Sequence, residues 1–140
     1  MSDPISGGCL CGKVRYTVSQ SPTRLITCHC TNCQKASGAG ATHNAVVATD
    51  AVTFISGKPK AYADTAASGN TLNRYFCGDC GSPIYSQPAN LPKYMILKVG
   101  TLDTPGDMKI TMNLWTKSAR PWMHIDPSIE CHAENRPAKA

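Results

Sequence analysis

The stretch Leu72-Asn73-Arg74-Tyr75-Phe76-Cys77-Gly78-Asp79-Cys80-Gly81-Ser82-Pro83-Ile84-Tyr85-Ser86 decides the fold. Two short runs carrying aromatic and branched residues flank a Cys-x-x-Cys turn closed by glycine, a pattern that reads as strand, knuckle, strand. Cysteines this close on one tight loop can both reach a small ion. They do not readily bridge each other, because a disulfide needs separated Cα atoms and facing Cβ vectors. One such knuckle supplies two thiolates, half of the tetrahedron that zinc prefers, so two more must come from elsewhere in the chain.

Working outward, two more clusters appear: Cys9-Leu10-Cys11 followed by Gly12, and Cys28-His29-Cys30-Thr31-Asn32-Cys33. Seven of the eight cysteines therefore fall in groups of two, three and two. That count suggests one complete four-sulfur site and one three-sulfur site with an open position. A closed zinc site builds structure, whereas an open position is where zinc does chemistry. Cys9, Cys11, Cys77 and Cys80 could close one tetrahedron, with Gly12 and Gly81 permitting the tight backbone on each side. Cys28, Cys30 and Cys33 are then left together, and their fourth ligand could be His29, His43, Cys131, His132, water or a substrate thiol. His29 lies between two ligands and is expected to point away from the metal, while Cys131 sits in a polar tail and is expected to be a free thiol. Zinc is preferred over a rubredoxin-like iron site, which four thiolates would also suit.

The rest of the chain reads as short strands. Residues 13–18 alternate polar and apolar, 42–49 and 51–55 are separated by the turn-prone Asp50, and 60–64 follow the Gly57-Lys58-Pro59 break. Ser68-Gly69-Asn70 marks a hairpin turn before residues 72–76. Residues 94–99 form the most apolar run and read as a central strand, with 110–115 as its expected partner. One helical turn is expected at 31–36, capped by Thr31 or Asn32. The expected fold is mainly β: a single zinc-stapled domain over residues 1–126, with curled antiparallel sheets and at most short helical turns, followed by a loosely held polar tail at 127–140.

Composition limits the function classes. A chain of 140 residues is one domain's worth, and no stretch approaches the roughly 20 apolar residues of a membrane span. Residues 1–8 carry neither an apolar run nor a basic leader, and the metal-like cysteine spacing points to a reducing cytoplasm rather than a secreted disulfide scaffold. The net charge of +5 is scattered, with no basic run or aromatic-interleaved stripe, which argues against nucleic acid as a partner.

The sequence resembles the glutathione-dependent formaldehyde-activating enzymes, the family that also holds the centromere protein V-type domains. The residues that carry the resemblance are Cys9-Leu10-Cys11-Gly12, Val14-Arg15-Tyr16, Cys28-His29-Cys30-Thr31-Asn32-Cys33 with Ser37-Gly38, Gly57, Arg74 to Ser82, Val99-Gly100-Thr101-Leu102-Asp103 and Pro121-Trp122. The resemblance implies two Zn2+ per chain. A structural zinc would be held by Cys9, Cys11, Cys77 and Cys80, and a second, catalytic zinc by Cys28, Cys30 and Cys33. It implies glutathione as co-substrate and a carbon–sulfur lyase reaction, the formation or cleavage of S-hydroxymethylglutathione. Relatives carry a histidine near the start of the last strand, where this chain has Asn113. In the chemistry this suggests, the zinc orients and deprotonates a substrate thiol, since three thiolates already damp its power to polarise a carbonyl. Lys35 and Arg120 are candidate anchors for glutathione's carboxylates, though both also read as surface residues. Trp115 and Trp122 could wall a pocket, but are read first as core. Two other readings compete: a non-catalytic zinc module binding a thiol metabolite or protein, and, least favoured, a chromatin-associated role.

Overall fold

The computed structural model describes residues 4–104 and 106–137. Among these residues, eleven strands make two sheets: β1 (Ile5–Gly8), β2 (Arg15–Val18), β3 (Arg24–Cys28), β4 (Thr42–Ala48), β5 (Val52–Ser56), β6 (Lys60–Thr65), β7 (Thr71–Phe76), β8 (Pro83–Pro88), β9 (Tyr94–Lys98), β10 (Lys109–Leu114) and β11 (Glu130–Cys131). A three-stranded sheet runs β1-β2-β5, and an eight-stranded sheet runs β11-β10-β3-β4-β9-β8-β7-β6. The only α-helix among the described residues is α1 (Thr31–Ser37). The mainly β expectation holds.

Alternation explains how the two sheets meet. Along β2, Tyr16 and Val18 are buried while Arg15 and Thr17 are not. On β9, Met95 and Leu97 point inward, and on β8 Ile84 is fully buried. These side chains, with Val14 and Val47, form one core between the small sheet and one face of the large sheet. Each buried aliphatic chain contributes about 1.5–3 kcal/mol by leaving water. Tyr16 reaches across this core, where its hydroxyl meets Thr101 Oγ1 at 2.7 Å. Gly7 must lack a side chain, because a Cβ there would lie 2.4 Å from that hydroxyl oxygen.

The opposite face of the large sheet carries Ile26, Asn44, Val46, Ile96 and Lys98, which open onto a cavity. Leu114 of β10 and Leu72 of β7 line the same cavity, although five strand spacings would hold them about 24 Å apart in a flat sheet. The sheet therefore curls around it.

Several expectations need correction. The strand at 110–115 exists as β10, but it does not pair with β9. Both edges of β9 are taken by β4 and β8, so β10 adds to the free edge of β3. That pairing is parallel, Lys109 facing Arg24, as is the pairing of β10 with β11. β1, β3 and β11 were not foreseen: β1 is half glycine, β3 runs straight into the second cysteine cluster, and β11 has two residues. The tail is not loosely held over its described part. His132 N–H donates to Asn113 O at 2.9 Å and Trp115 N–H to Glu134 O at 3.1 Å. Residues 138–140 of that tail lie outside the described residues.

Candidate functional site

The sulfurs of Cys9, Cys11, Cys77 and Cys80 lie within 4.8 Å of one another, and so, separately, do those of Cys28, Cys30 and Cys33. The first group joins two knuckles of the same construction. Gly12 N–H donates to Cys9 O at 3.1 Å and Gly81 N–H to Cys77 O at 2.8 Å, each glycine in the left-handed region at φ 82° and 80°. Backbone Val14 N–H points at Cys9 Sγ at 3.2 Å. Hydrogen bonds from the Ser82 hydroxyl and backbone N–H, with Cys11's backbone, lower the Cys80 thiol to about 5. Four sulfurs about 2.3 Å from a central ion would stand about 3.8 Å apart. The observed Cys9–Cys11 and Cys11–Cys77 sulfur separations are 3.6 and 3.8 Å, so these residues fit a tetrahedral metal.

The second group is local. Cys28 ends β3, Cys30 caps α1 and Cys33 sits in its first turn. The cap is Cys30, whose sulfur accepts from Cys33 N–H at 3.2 Å, and not Thr31 or Asn32. The last turn closes on Gly38 in the left-handed conformation. Hydrogen bonds from Cys28 and Cys30 lower the Cys33 thiol to about 2, while Cys30, Cys33 and burial push the Cys28 thiol far up. Crowded together, the three sulfurs hold negative charge unevenly, and a bound cation would relieve that competition.

Among the described residues no histidine or carboxylate joins this group. His29 is buried and turned away: Asn113 Oδ1 accepts from its Nε2–H at 3.0 Å, and its Nδ1 has no partner. His43 Nδ1 bonds Thr27 Oγ1 at 2.9 Å. His132 pairs with Glu130 at 2.7 Å, and Cys131 is exposed on β11, donating to Ile129 O at 3.2 Å. Gln34, which sequence reasoning passed over, locks the cluster's loop. Its Nε2 donates to His29 O at 2.8 Å and Ser118 O at 3.0 Å, and its Oε1 accepts from Arg120 at 2.6 Å.

The three-cysteine group opens onto the cavity of about 640 Å³ noted above. Its cations are Arg74, Lys98 and Lys117, not Lys35, which is exposed on α1, or Arg120, which is tied to Gln34. Lys98 Nζ donates to Asn44 Oδ1 at 2.9 Å; burial lowers its pKa, against which the nearby Cys33 thiolate pulls upward. Arg74 is largely buried and pairs with Asp64 at 2.9 Å. Burial would lower the Arg74 pKa, but Asp64 and the Cys33 thiolate outweigh that and raise it. Trp115 lines the cavity rather than the core, held at φ 58° with its Nε1–H donating to Asn135 Oδ1 at 2.8 Å. Trp122 is 70% exposed and stands outside it, against Gly40. Of these cations, Arg74 and Lys98 sit in strands, where alternation alone could have placed them on the face of Ile96 and Leu72; without the strand pairing, nothing said that face was a cavity.

Among known proteins, a family model described as glutathione-dependent formaldehyde-activating enzyme matches residues 4–118. No curated protein matches the chain. A crystal structure of a Rhodobacter sphaeroides protein, a structural-genomics target, is similar with a TM-score of 0.59 at 21% identity, over 76% of this chain and 100% of that one. That likeness concerns the fold alone. No helix among the described residues is long and apolar enough to cross a membrane.

Proposed function

The chain belongs to the glutathione-dependent formaldehyde-activating enzyme family, and from that premise we propose that it is a zinc-dependent carbon–sulfur lyase acting on a glutathione or similar thiol adduct. The observation that carries the reading is the contrast at Cys28, Cys30 and Cys33: three sulfurs within 4.8 Å, no further protein ligand among the described residues, and a cavity on the open side. Cys9, Cys11, Cys77 and Cys80 hold a second, structural zinc in this reading. Cys28, Cys30 and Cys33 would hold a zinc whose positive charge would keep a substrate thiol deprotonated.

The chain's own groups do the rest. Lys98 and Arg74 present positive charge beside Cys33, suited to a substrate carboxylate or to the oxygen that gains charge as sulfur adds to a carbonyl. In that step a carbon–sulfur bond forms, the carbonyl π pair moves to oxygen, and the proton released by the thiol ends on that oxygen. Cleavage reverses each movement. Asn44 fixes the Lys98 ammonium, and Asp64 fixes the Arg74 guanidinium. A reducing cytoplasm suits eight cysteines that are all unbridged.

Among the described residues the cavity lining contains no histidine, aspartate or glutamate. That absence of an ordinary general base favours a second reading, a zinc module that binds a thiol metabolite without turning it over. Exchange NMR of glutathione with formaldehyde separates the two readings. A lyase accelerates exchange between free and adduct signals, and Cys30→Ser abolishes the acceleration. Glutathione binding with the exchange rate unchanged would leave the module.

A further inference from the structure

The cavity is chemically two-sided, and strand register shows how. Moving outward from the cysteine cluster, the first rung pairs Cys28 with Thr42, the second Ile26 with Asn44 and Asn44 with Lys98, and the third Val46 with Ile96. The third rung continues from Ile96 to Ser86 and from Ser86 to Arg74. Ile26, Val46 and Ile96 therefore form one apolar corner, while Lys98 and Arg74 lie toward the other side of the same face. Along β3 and β4 each rung is two residues, about 6.8 Å, beyond the last, so Ile26 and Val46 stand about 7 and 14 Å from Cys28, while the curl of the sheet brings Arg74, on the rung of Val46, back beside Cys33.

A one-carbon carbonyl bonded to a sulfur at the cluster cannot reach that corner. Glutathione does not suit it either: both its ends are charged, and its carboxylates are complementary to Lys98 and Arg74. Yet Val46 is 52% exposed within the cavity, an apolar surface that a ligand of matching character would cover. Resting on the proposed lyase reading, we propose that the carbonyl partner is an aldehyde larger than formaldehyde, bearing an alkyl or aryl group that lies on Ile26, Val46 and Ile96. The thiol's charged arms turn toward Lys98 and Arg74. The reaction balances as before: the thiol adds across the aldehyde C=O to give a hemithioacetal, its proton passing to the oxygen, with no further reactant.

The test is a series of aldehydes with glutathione and the zinc-loaded protein, followed by exchange NMR: formaldehyde, butanal, hexanal and phenylacetaldehyde. Each methylene buried on the apolar corner should raise kcat/KM about fourfold, so hexanal should exceed formaldehyde by well over tenfold. Val46→Asp, at a half-exposed position, should collapse the hexanal-to-formaldehyde ratio in protein whose far-UV circular dichroism matches the parent. A flat series, or one falling from formaldehyde onward, overturns this inference and leaves the lyase reading standing. No acceleration with any aldehyde overturns both.

Discussion

The two cysteine groups differ in where their ligands come from. Cys9, Cys11, Cys77 and Cys80 join knuckles remote in sequence, both packed against the core, with Cys77 and Cys9 buried. Cys28, Cys30 and Cys33 come from one strand end and one helix start, face a cavity, and lean on side chains from elsewhere only for support. A long-range site closes a loop of chain and so stabilises the fold. A short-range site closes almost nothing, and its binding free energy remains available for a ligand. The difference supports the proposed division into staple and reactive centre without reference to any relative.

Breaking the comparison should produce unequal damage. The largest effect belongs to Cys77→Ser, which removes a buried staple from a domain whose whole stability is about 5–15 kcal/mol. Far-UV circular dichroism should show loss of sheet, and the zinc count should fall for both sites. Cys30→Ser should instead lose one zinc and at least a hundredfold in activity while the spectrum keeps its shape. Should the two variants unfold alike, the staple and the reactive centre are not distinct. Lys98→Met sharpens the comparison on the cavity side: KM for glutathione should rise about tenfold or more, the worth of a charge-assisted hydrogen bond, with Lys98→Arg recovering part of it. Unchanged KM in Lys98→Met would remove Lys98 from the binding face.

The smallest effect tests whether anything besides the cysteines holds the N-terminal hairpin. Arg15 forks onto Asp103, and its guanidinium holds the Asp103 carboxyl below the ordinary carboxylate value. A lowered folded-state pKa means the pair contributes above the unfolded value of about 3.9 and loses that contribution as pH falls through the folded value. Asp103→Asn should therefore lower Tm by no more than about a few degrees at pH 7, and the gap to the parent should close as pH falls through the folded-state value of Asp103, below its unfolded value.

How much of this was legible beforehand follows from the range of each interaction. Cysteine spacing and strand alternation are local, and the two sulfur groups and most strands emerge where residue order places them. Pairing partners are not local. That β10 leaves β9 for the edge of β3 depends on both edges of β9 being occupied, which no property of residues 110–115 records. The same holds for Lys98 and Arg74, ordinary strand cations until the sheet curls, and for Gln34, whose three bonds run to groups that meet it only in the folded chain. Asn113, where the sequence departs from the family pattern, accepts from the buried His29, a contact its position in the chain alone does not predict.

The position of β10 also orders events on the ribosome. β3 and both cysteine groups are complete once Cys80 has emerged, but the partner of β3 begins only at Lys109. Until then β3 borders β4 on one side and nothing on the other, a raw strand edge of the kind that nucleates association between nascent chains. Lys109–Leu114 thus seals the free edge of β3 beside Cys28 in the same pairing that brings Leu114 and Trp115 to the cavity's far wall.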